Sequence, residues 1–151
     1  MKFISKTVAT FFGVGYLPLA PGTWASMIIV VLYKLCLHKL SWPLYLLILF
    51  FFFLAGTFAS TSYSSELNDK DPRKIVVDEA VGQMLVLFRM KEGWLLLLAS
   101  FLIFRFFDVV KIYPIKKAEA LPQGWGIMMD DIVAAVYAGI IVHLYLLIRG
   151  Q

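Results

Sequence analysis

Three observations predict an all-α, polytopic helical membrane protein for this 151-residue chain. Hydrophobic residues make up 61% of it and aromatic residues 16%, an apolar share beyond that of a water-soluble domain. These residues gather into about five runs, each approaching the ~20 residues of helix that cross a bilayer core. No Gly/Ser-rich linker, low-complexity tract or internal repeat separates the runs, so residues 1–151 read as a single membrane-embedded domain.

The first 22 residues break the pattern. Gly13, Gly15, Pro18, Pro21 and Gly22 deny them a continuous helix, which predicts a short or re-entrant, irregular segment. Lys2 and Lys6 ahead of a short apolar run give a faint likeness to a signal peptide, interrupted early by those breaks. Thr23 is placed to cap the helix that follows. The turn around Pro21, Gly22 and Thr23 can be a plain helix entry, or its exposed N–H groups can seat a phosphate.

Apolar runs then cover about 23–37, 43–59, 76–88, 94–110 and 130–148. The third reaches only about 20 Å at 1.5 Å per residue, so it is a half-span, a tilted helix or a helix in thinned bilayer. Lys34, His38 and Lys39 mark the first turn, 60–75 is a long polar loop, Arg89, Lys91, Glu92 and Gly93 make a second turn, and 109–129 is a polar linker. Cys36, the one cysteine, reads as filler in an apolar run and excludes an intrachain disulfide. His38 reads as interfacial, and His143 as a neutral imidazole bonded to a neighbouring helix.

Five crossings put the N-terminus and the loops 60–75 and 109–129 on one side. That side holds Lys2, Lys6, Lys70, Arg73, Lys74, Arg105, Lys111, Lys116 and Lys117, against Lys34, Lys39, Arg89, Lys91 and Arg149 on the other. Positive-inside bias makes the first side cytoplasmic. Of the ten acids only Glu92 falls on the far side. Topology and anionic headgroups thus account for the net charge of +4, and nucleic acid is not an expected partner.

Acids at membrane depth are costly unless paired, hydrated or bound to a cation. Asp78-Glu79 and Asp130-Asp131 each open a run, where a helix macrodipole favours a carboxylate by roughly 0.3–1 kcal/mol. Asp108 lies near a helix C-terminus, where Arg105 at i−3 and Lys111 at i+3 can neutralise it. Taken together, Asp78, Glu79, Asp108, Asp130 and Asp131 form an oxygen-donor set suited to Mg²⁺. Arg105 and Lys111, with Lys116 and Lys117 beyond them, are placed to hold a phosphate.

Such a site can stabilise charge on a transferring phosphoryl group while one carboxylate, Asp130 or Asp131, accepts a proton from attacking water. Other phosphatase chemistries lack their parts. There is no Cys-x5-Arg loop, no Asp-x-Asp-x-[Thr/Val] motif, no Gly-x4-Gly-Lys-[Ser/Thr] loop, and no histidine placed for a phosphohistidine.

Four blocks carry a family resemblance: Gly13 to Trp24 (GVGYLPLAPGTW), Asp71 to Gln83 (DPRKIVVDEAVGQ), Phe104 to Lys111 (FRFFDVVK) and Gly124 to Ala134 (GWGIMMDDIVA). In order and spacing, over nearly the whole chain, they resemble the phosphatidylglycerophosphatase A family. Departures are local: Ile112 and Tyr113 separate Lys111 from Pro114, Ala25 replaces a common glycine, and Lys70 a common histidine.

The resemblance implies a Mg²⁺-dependent lipid phosphatase of the bacterial cytoplasmic (inner) membrane, hydrolysing phosphatidylglycerophosphate to phosphatidylglycerol and inorganic phosphate. It implies metal and catalytic roles for Asp78, Glu79, Asp108, Asp130 and Asp131. Arg105, Lys111 and the Pro21-Gly22-Thr23 turn would meet the phosphate. It also argues that the N-terminal block is kept. A phosphatase for phosphatidate or a prenyl phosphate would use the same chemistry. A cation-coupled transporter would also bury acids, but nearer the midplane, and five short spans leave little room for alternating access.

Overall fold

The computed structural model describes residues 2–69, 72–90 and 93–149. Lys70 and Asp71 of the predicted polar loop and second block, and Lys91 and Glu92 of the far turn, lie outside the described residues. Among the described residues there are seven α-helices and no strand: α1 (Lys2–Ala9), α2 (Pro21–Leu35), α3 (Trp42–Leu67), α4 (Val77–Leu87), α5 (Trp94–Val110), α6 (Ile115–Glu119) and α7 (Gly124–Ile148).

Local chemistry sets several boundaries. Pro21 occupies the first turn of α2, where its missing N–H costs nothing. Asn68 ends α3 and Lys111 ends α5, both in the left-handed region (φ 51° and 48°). The α5 boundaries match the predicted run.

Three predicted boundaries are corrected. Helix α3 continues through the first part of the expected 60–75 loop, because its hydroxyls turn back onto the helix. Thr61 Oγ1 donates to the Thr57 carbonyl and Ser65 Oγ to the Thr61 carbonyl, each at 2.8 Å. Helix α7 begins six residues before Asp130, because Gly124 and Gly126 fit where larger residues do not. A Cβ on Gly124 would collide with the Thr57 carbonyl, and one on Gly126 would lie 2.5 Å from the Leu121 carbonyl. Packing thus overrides the low helix propensity of glycine. Thr23 does not cap α2, since Ala20 holds that position and Thr23 lies inside the first turn.

The N-terminal segment is more ordered than expected. Helix α1 leads to Phe11, Phe12 and Gly13 (φ 45°, 56° and 94°), which reverse the chain into a 3-10 turn at Val14–Tyr16. Both arms of this hairpin meet the stretch before α4. The Val76 amide donates to the Ala9 carbonyl at 3.0 Å, and Gly15 abuts the Lys74 carbonyl.

Cross-links fix the direction of each helix. Gly22 lies against Glu79 while Tyr33 Oη donates to the Met90 carbonyl at 2.6 Å, so α2 and α4 are parallel. Tyr45 Oη donates to the Met84 carbonyl at 2.7 Å, which sets α3 antiparallel to α4. His143 Nε2 lies 3.1 Å from the Phe88 carbonyl, joining the later part of α7 to the end of α4. The Phe107 and Tyr137 rings, 5.5 Å apart, pair α5 with α7 in opposite directions. One end of the bundle therefore collects the starts of α2, α4 and α7 and the finishes of α3 and α5.

Helices α3 and α7 are long and apolar enough to cross a bilayer, each with mean hydropathy 2.1 over its best window. The five predicted runs thus reduce to two full-length candidates, with α2, α4 and α5 shorter. The outer faces suit lipid: Phe51 and Phe58 on α3, Leu95 and Val109 on α5, and Leu147 and Ile148 on α7 are all exposed. Small and hydroxyl residues face inward, among them Ala25 and Ser26 on α2, Gly56 and Ser60 on α3, and Ala134 and Ala138 on α7. Cys36 caps α2 in an exposed position, outside the helix body where filler was expected.

At Gly82 α4 meets both α5 and α7. A Cβ there would lie 2.6 Å from the Phe104 ring and 3.2 Å from the Asp131 carbonyl. Phe104 is fully buried and has no room to yield. Gly82→Ala is expected to lower the thermal midpoint of the detergent-purified protein by the equivalent of about 1–3 kcal/mol.

Candidate active site

The first turn of α4 supplies Asp78 and Glu79, and the last turns of α5 supply Arg105 and Asp108. Lys111 follows in the left-handed residue that ends α5, and α7 supplies Asp130 and Asp131. All seven side chains line one cavity of 330 Å³, with Pro21 and Gly22 at its edge. Thr23, a sequence-predicted site residue, does not line it. Lys116 and Lys117 also lie elsewhere, on α6, and Lys117 sits over the Tyr113 ring.

The five acids divide into two sets. Asp78, Glu79 and Asp131 each present a carboxylate oxygen, and the three oxygens lie within 4.8 Å of one another. Asp78 Oδ1, Glu79 Oε2 and Asp131 Oδ2 are buried without a hydrogen-bond partner among the described residues. Asp131 is only 2% exposed. Three carboxylates so placed repel one another, and the Arg105–Glu79 contact at 3.8 Å relieves them only in part. Oxygen donors without protons of their own, gathered this closely, suit a hard divalent cation.

Asp108 and Asp130 are instead neutralised within the protein. Arg105 Nη1 lies 2.6 Å from Asp108 Oδ2 and 3.8 Å from Glu79 Oε1. Lys111 Nζ donates to Asp130 Oδ2 at 2.8 Å and lies 3.0 Å from Glu119 Oε1. The i+3 pairing of Lys111 with Asp108 is therefore replaced by a bond to α7, because the left-handed turn at Lys111 takes it off the α5 helix. Burial works to lower the Lys111 pKa, but the Asp130 and Glu119 carboxylates outweigh it and hold the ammonium above its ordinary value.

The dipole explanation holds for Asp78 and Glu79 alone. Asp130 and Asp131 lie in the second turn of α7, beyond its free N–H groups, so packing and ion pairing place them. Glu79 Oε1 occupies the space a Cβ on Gly22 would fill, so a larger residue there would displace the Glu79 carboxylate.

Two residues of the site were missed by the sequence reading. Glu119 completes the Lys111 contacts and Arg73 lines the cavity, yet each sits in a charged stretch that gives no signal of this role. Gln83, one turn after Glu79 on α4, is fully buried, and its side-chain amide atoms have no hydrogen-bond partner among the described residues, but it is not among the residues that line the cavity. A second cavity of 730 Å³ adjoins the first at Asp130, lined by Ser64, Ser65, Asn68 and Gln123 among others.

Comparison with known proteins adds a family model, described as Phosphatidylglycerophosphatase A, that matches residues 7–146. A Haemophilus influenzae protein named Phosphatidylglycerophosphatase A is 38% identical over 137 residues, covering 89% of this chain and 84% of that protein. A Bacteroides thetaiotaomicron protein named Putative phosphatidylinositol-3-phosphatase is 36% identical over 149 residues, covering 93% and 92%. An Escherichia coli protein named Phosphatidylglycerophosphatase A is 34% identical over 137 residues, covering 89% and 79%. No solved structure matches.

The electrostatics of the three-carboxylate cluster make a stability prediction. Asp131→Asn removes one of the repelling charges and adds an N–H₂ donor facing the other two carboxylates. In excess chelator it is expected to raise the thermal midpoint, by the equivalent of about 1–3 kcal/mol. Calorimetry of the purified variant checks this.

Proposed function

This chain belongs to the phosphatidylglycerophosphatase A family, and from that premise we propose how its cavity carries out the family's reaction. The reaction is hydrolysis of the terminal phosphomonoester of phosphatidylglycerophosphate to phosphatidylglycerol and inorganic phosphate, a step in phospholipid biosynthesis. The observation that carries the assignment is the set of unpartnered, buried carboxylates beside two cations already held by other acids.

In this reading Mg²⁺ is the cofactor, and Asp78, Glu79 and Asp131 would hold it. When bound, it supplies positive charge to the phosphoryl oxygens as negative charge builds on them. Arg105, fixed by Asp108, directs guanidinium N–H groups at the same phosphate. Asp130 stands outside the cluster and is oriented by Lys111, so it is the carboxylate left to accept a proton from the attacking water. The water oxygen bonds to phosphorus as the bond from phosphorus to the glycerol oxygen breaks, and the proton taken up by Asp130 passes to that glycerol oxygen, regenerating the carboxylate. The Pro21-Gly22 turn closes one wall and keeps Glu79 in place.

The alternating helix directions support the membrane setting of this reading. With α2, α3, α4, α5 and α7 taken as five successive crossings, the short α4 in locally thinned bilayer, the acids lie at one face. That face also carries Lys2, Lys6, Arg73, Lys74, Lys111, Lys116 and Lys117, which by positive-inside bias makes it the cytoplasmic face of a bacterial inner membrane. Acids at one end, and not at the midplane, support a phosphatase over a transporter.

The relative named as a putative phosphatidylinositol-3-phosphatase favours a second substrate, an inositol lipid carrying a phosphomonoester. Release rates on the two lipids, measured side by side, rank them.

Purified protein assayed on phosphatidylglycerophosphate in mixed micelles is expected to release phosphate only with Mg²⁺ present. Asp78→Asn and Asp131→Asn are each expected to lower kcat by about 10²–10³. Full turnover in excess chelator would remove the metal from the mechanism.

A further inference from the structure

A third cation, Arg73, lines the same cavity as the acids. We propose that Arg73 binds the internal phosphodiester of the lipid, so that the site grips two anions and selects substrates that carry both. This assignment rests on the phosphatase reading above.

Two of the three cavity-lining cations are already engaged. Arg105 is held by Asp108 and Glu79, and Lys111 by Asp130 and Glu119. Arg73 is exposed, and among the described residues it is the one cavity-lining cation with neither carboxylate nor hydrogen-bond partner. Its neighbour Lys74 is engaged, with Nζ 5.5 Å from the centre of the Tyr16 ring. A guanidinium left open beside a catalytic cavity has donors in a planar fork that suits a phosphate.

The backbone around Arg73 is also fixed. Pro72, Ile75 and Val76 are buried on either side of it, and the Ile75 amide donates to the Pro72 carbonyl at 2.8 Å. The Val76 amide bonds to Ala9, and the Lys74 carbonyl packs on Gly15, so the N-terminal hairpin clamps this stretch against α4. The Arg73 side chain is therefore free at its tip and anchored at its root.

The substrate supplies the matching chemistry. Phosphatidylglycerophosphate carries a phosphomonoester at one end of a glycerol and a phosphodiester at the other, joining it to diacylglycerol. In this proposal the monoester sits among the carboxylates and Arg105, and the diester, one glycerol away, meets Arg73, the exposed cation of the cavity lining. Phosphatidate has the monoester directly on diacylglycerol and no diester. A cation that meets the diester therefore separates the two lipids by affinity, and leaves the bond-breaking step to the acids.

The test compares wild type, Arg73→Gln and Arg73→Lys on phosphatidylglycerophosphate and on phosphatidate, in the same micelles with Mg²⁺. Arg73→Gln is expected to raise KM for phosphatidylglycerophosphate about tenfold, with kcat and the phosphatidate KM each moving no more than about twofold. Arg73→Lys recovers part of the loss. Phosphatidylglycerol, which has the diester alone, is expected to inhibit wild type and to lose about tenfold in potency against Arg73→Gln.

An equal rise in KM for both lipids, or none for either, overturns the assignment while leaving the phosphatase reading intact. A wild-type protein that releases no phosphate from phosphatidylglycerophosphate overturns both.

Discussion

Three carboxylate oxygens, from Asp78, Glu79 and Asp131, lie within 4.8 Å of one another at the end of an apolar bundle. Holding them there is the constraint on which the rest of the architecture depends. Like charges at this distance and burial destabilise the fold unless a cation joins them or they take up protons. Among the described residues, protein cations do not fill that role for Asp78 and Asp131. Arg105 reaches Glu79 only at 3.8 Å and is spent chiefly on Asp108, and Lys111 is spent on Asp130 and Glu119. The distribution leaves the negative charge concentrated where a ligand can use it.

The packing around the cluster serves the same end. Gly22 gives Glu79 the space its carboxylate occupies, and Gly82 lets α5 and the backbone of α7 approach α4. A larger residue at Gly22 would displace the Glu79 carboxylate, and one at Gly82 would press on the Phe104 ring and the α7 backbone. Small residues inside and large apolar residues outside suit a lipid surrounding, where helix association relies on close contact and not on expulsion of water. The short α4 fits this plan, because its first turn has to end at the level of the acids and its last at the level of Phe88 and His143.

Much of this was readable from the chain because apolar run length and helix-breaking residues act locally. The α5 run from Trp94 to Val110 was bounded by Gly93 and the charged Lys111, and the α4 run by its acids and Arg89. The gathering of Asp78, Glu79, Asp108, Asp130 and Asp131 followed from counting crossings. What escaped depended on contacts between distant segments. The early start of α7 rests on Gly124 meeting Thr57 and Thr61 of α3, and glycine by itself argues against a helix. The hydroxyl-rich end of α3 read as loop until its side chains were seen bonding back along the helix. The partner of Lys111 turned on one left-handed residue. Arg73 and Glu119 had no pattern to set them apart from solvated charges.

Crystals grown with Mn²⁺ in place of Mg²⁺ and measured for anomalous scattering put the central claim to its most direct test. A metal peak bounded by the carboxylates of Asp78, Glu79 and Asp131 is the result this account predicts. Those three side chains turned away from one another, or Mn²⁺ bound only at other acids such as Asp69 and Glu119, would contradict it.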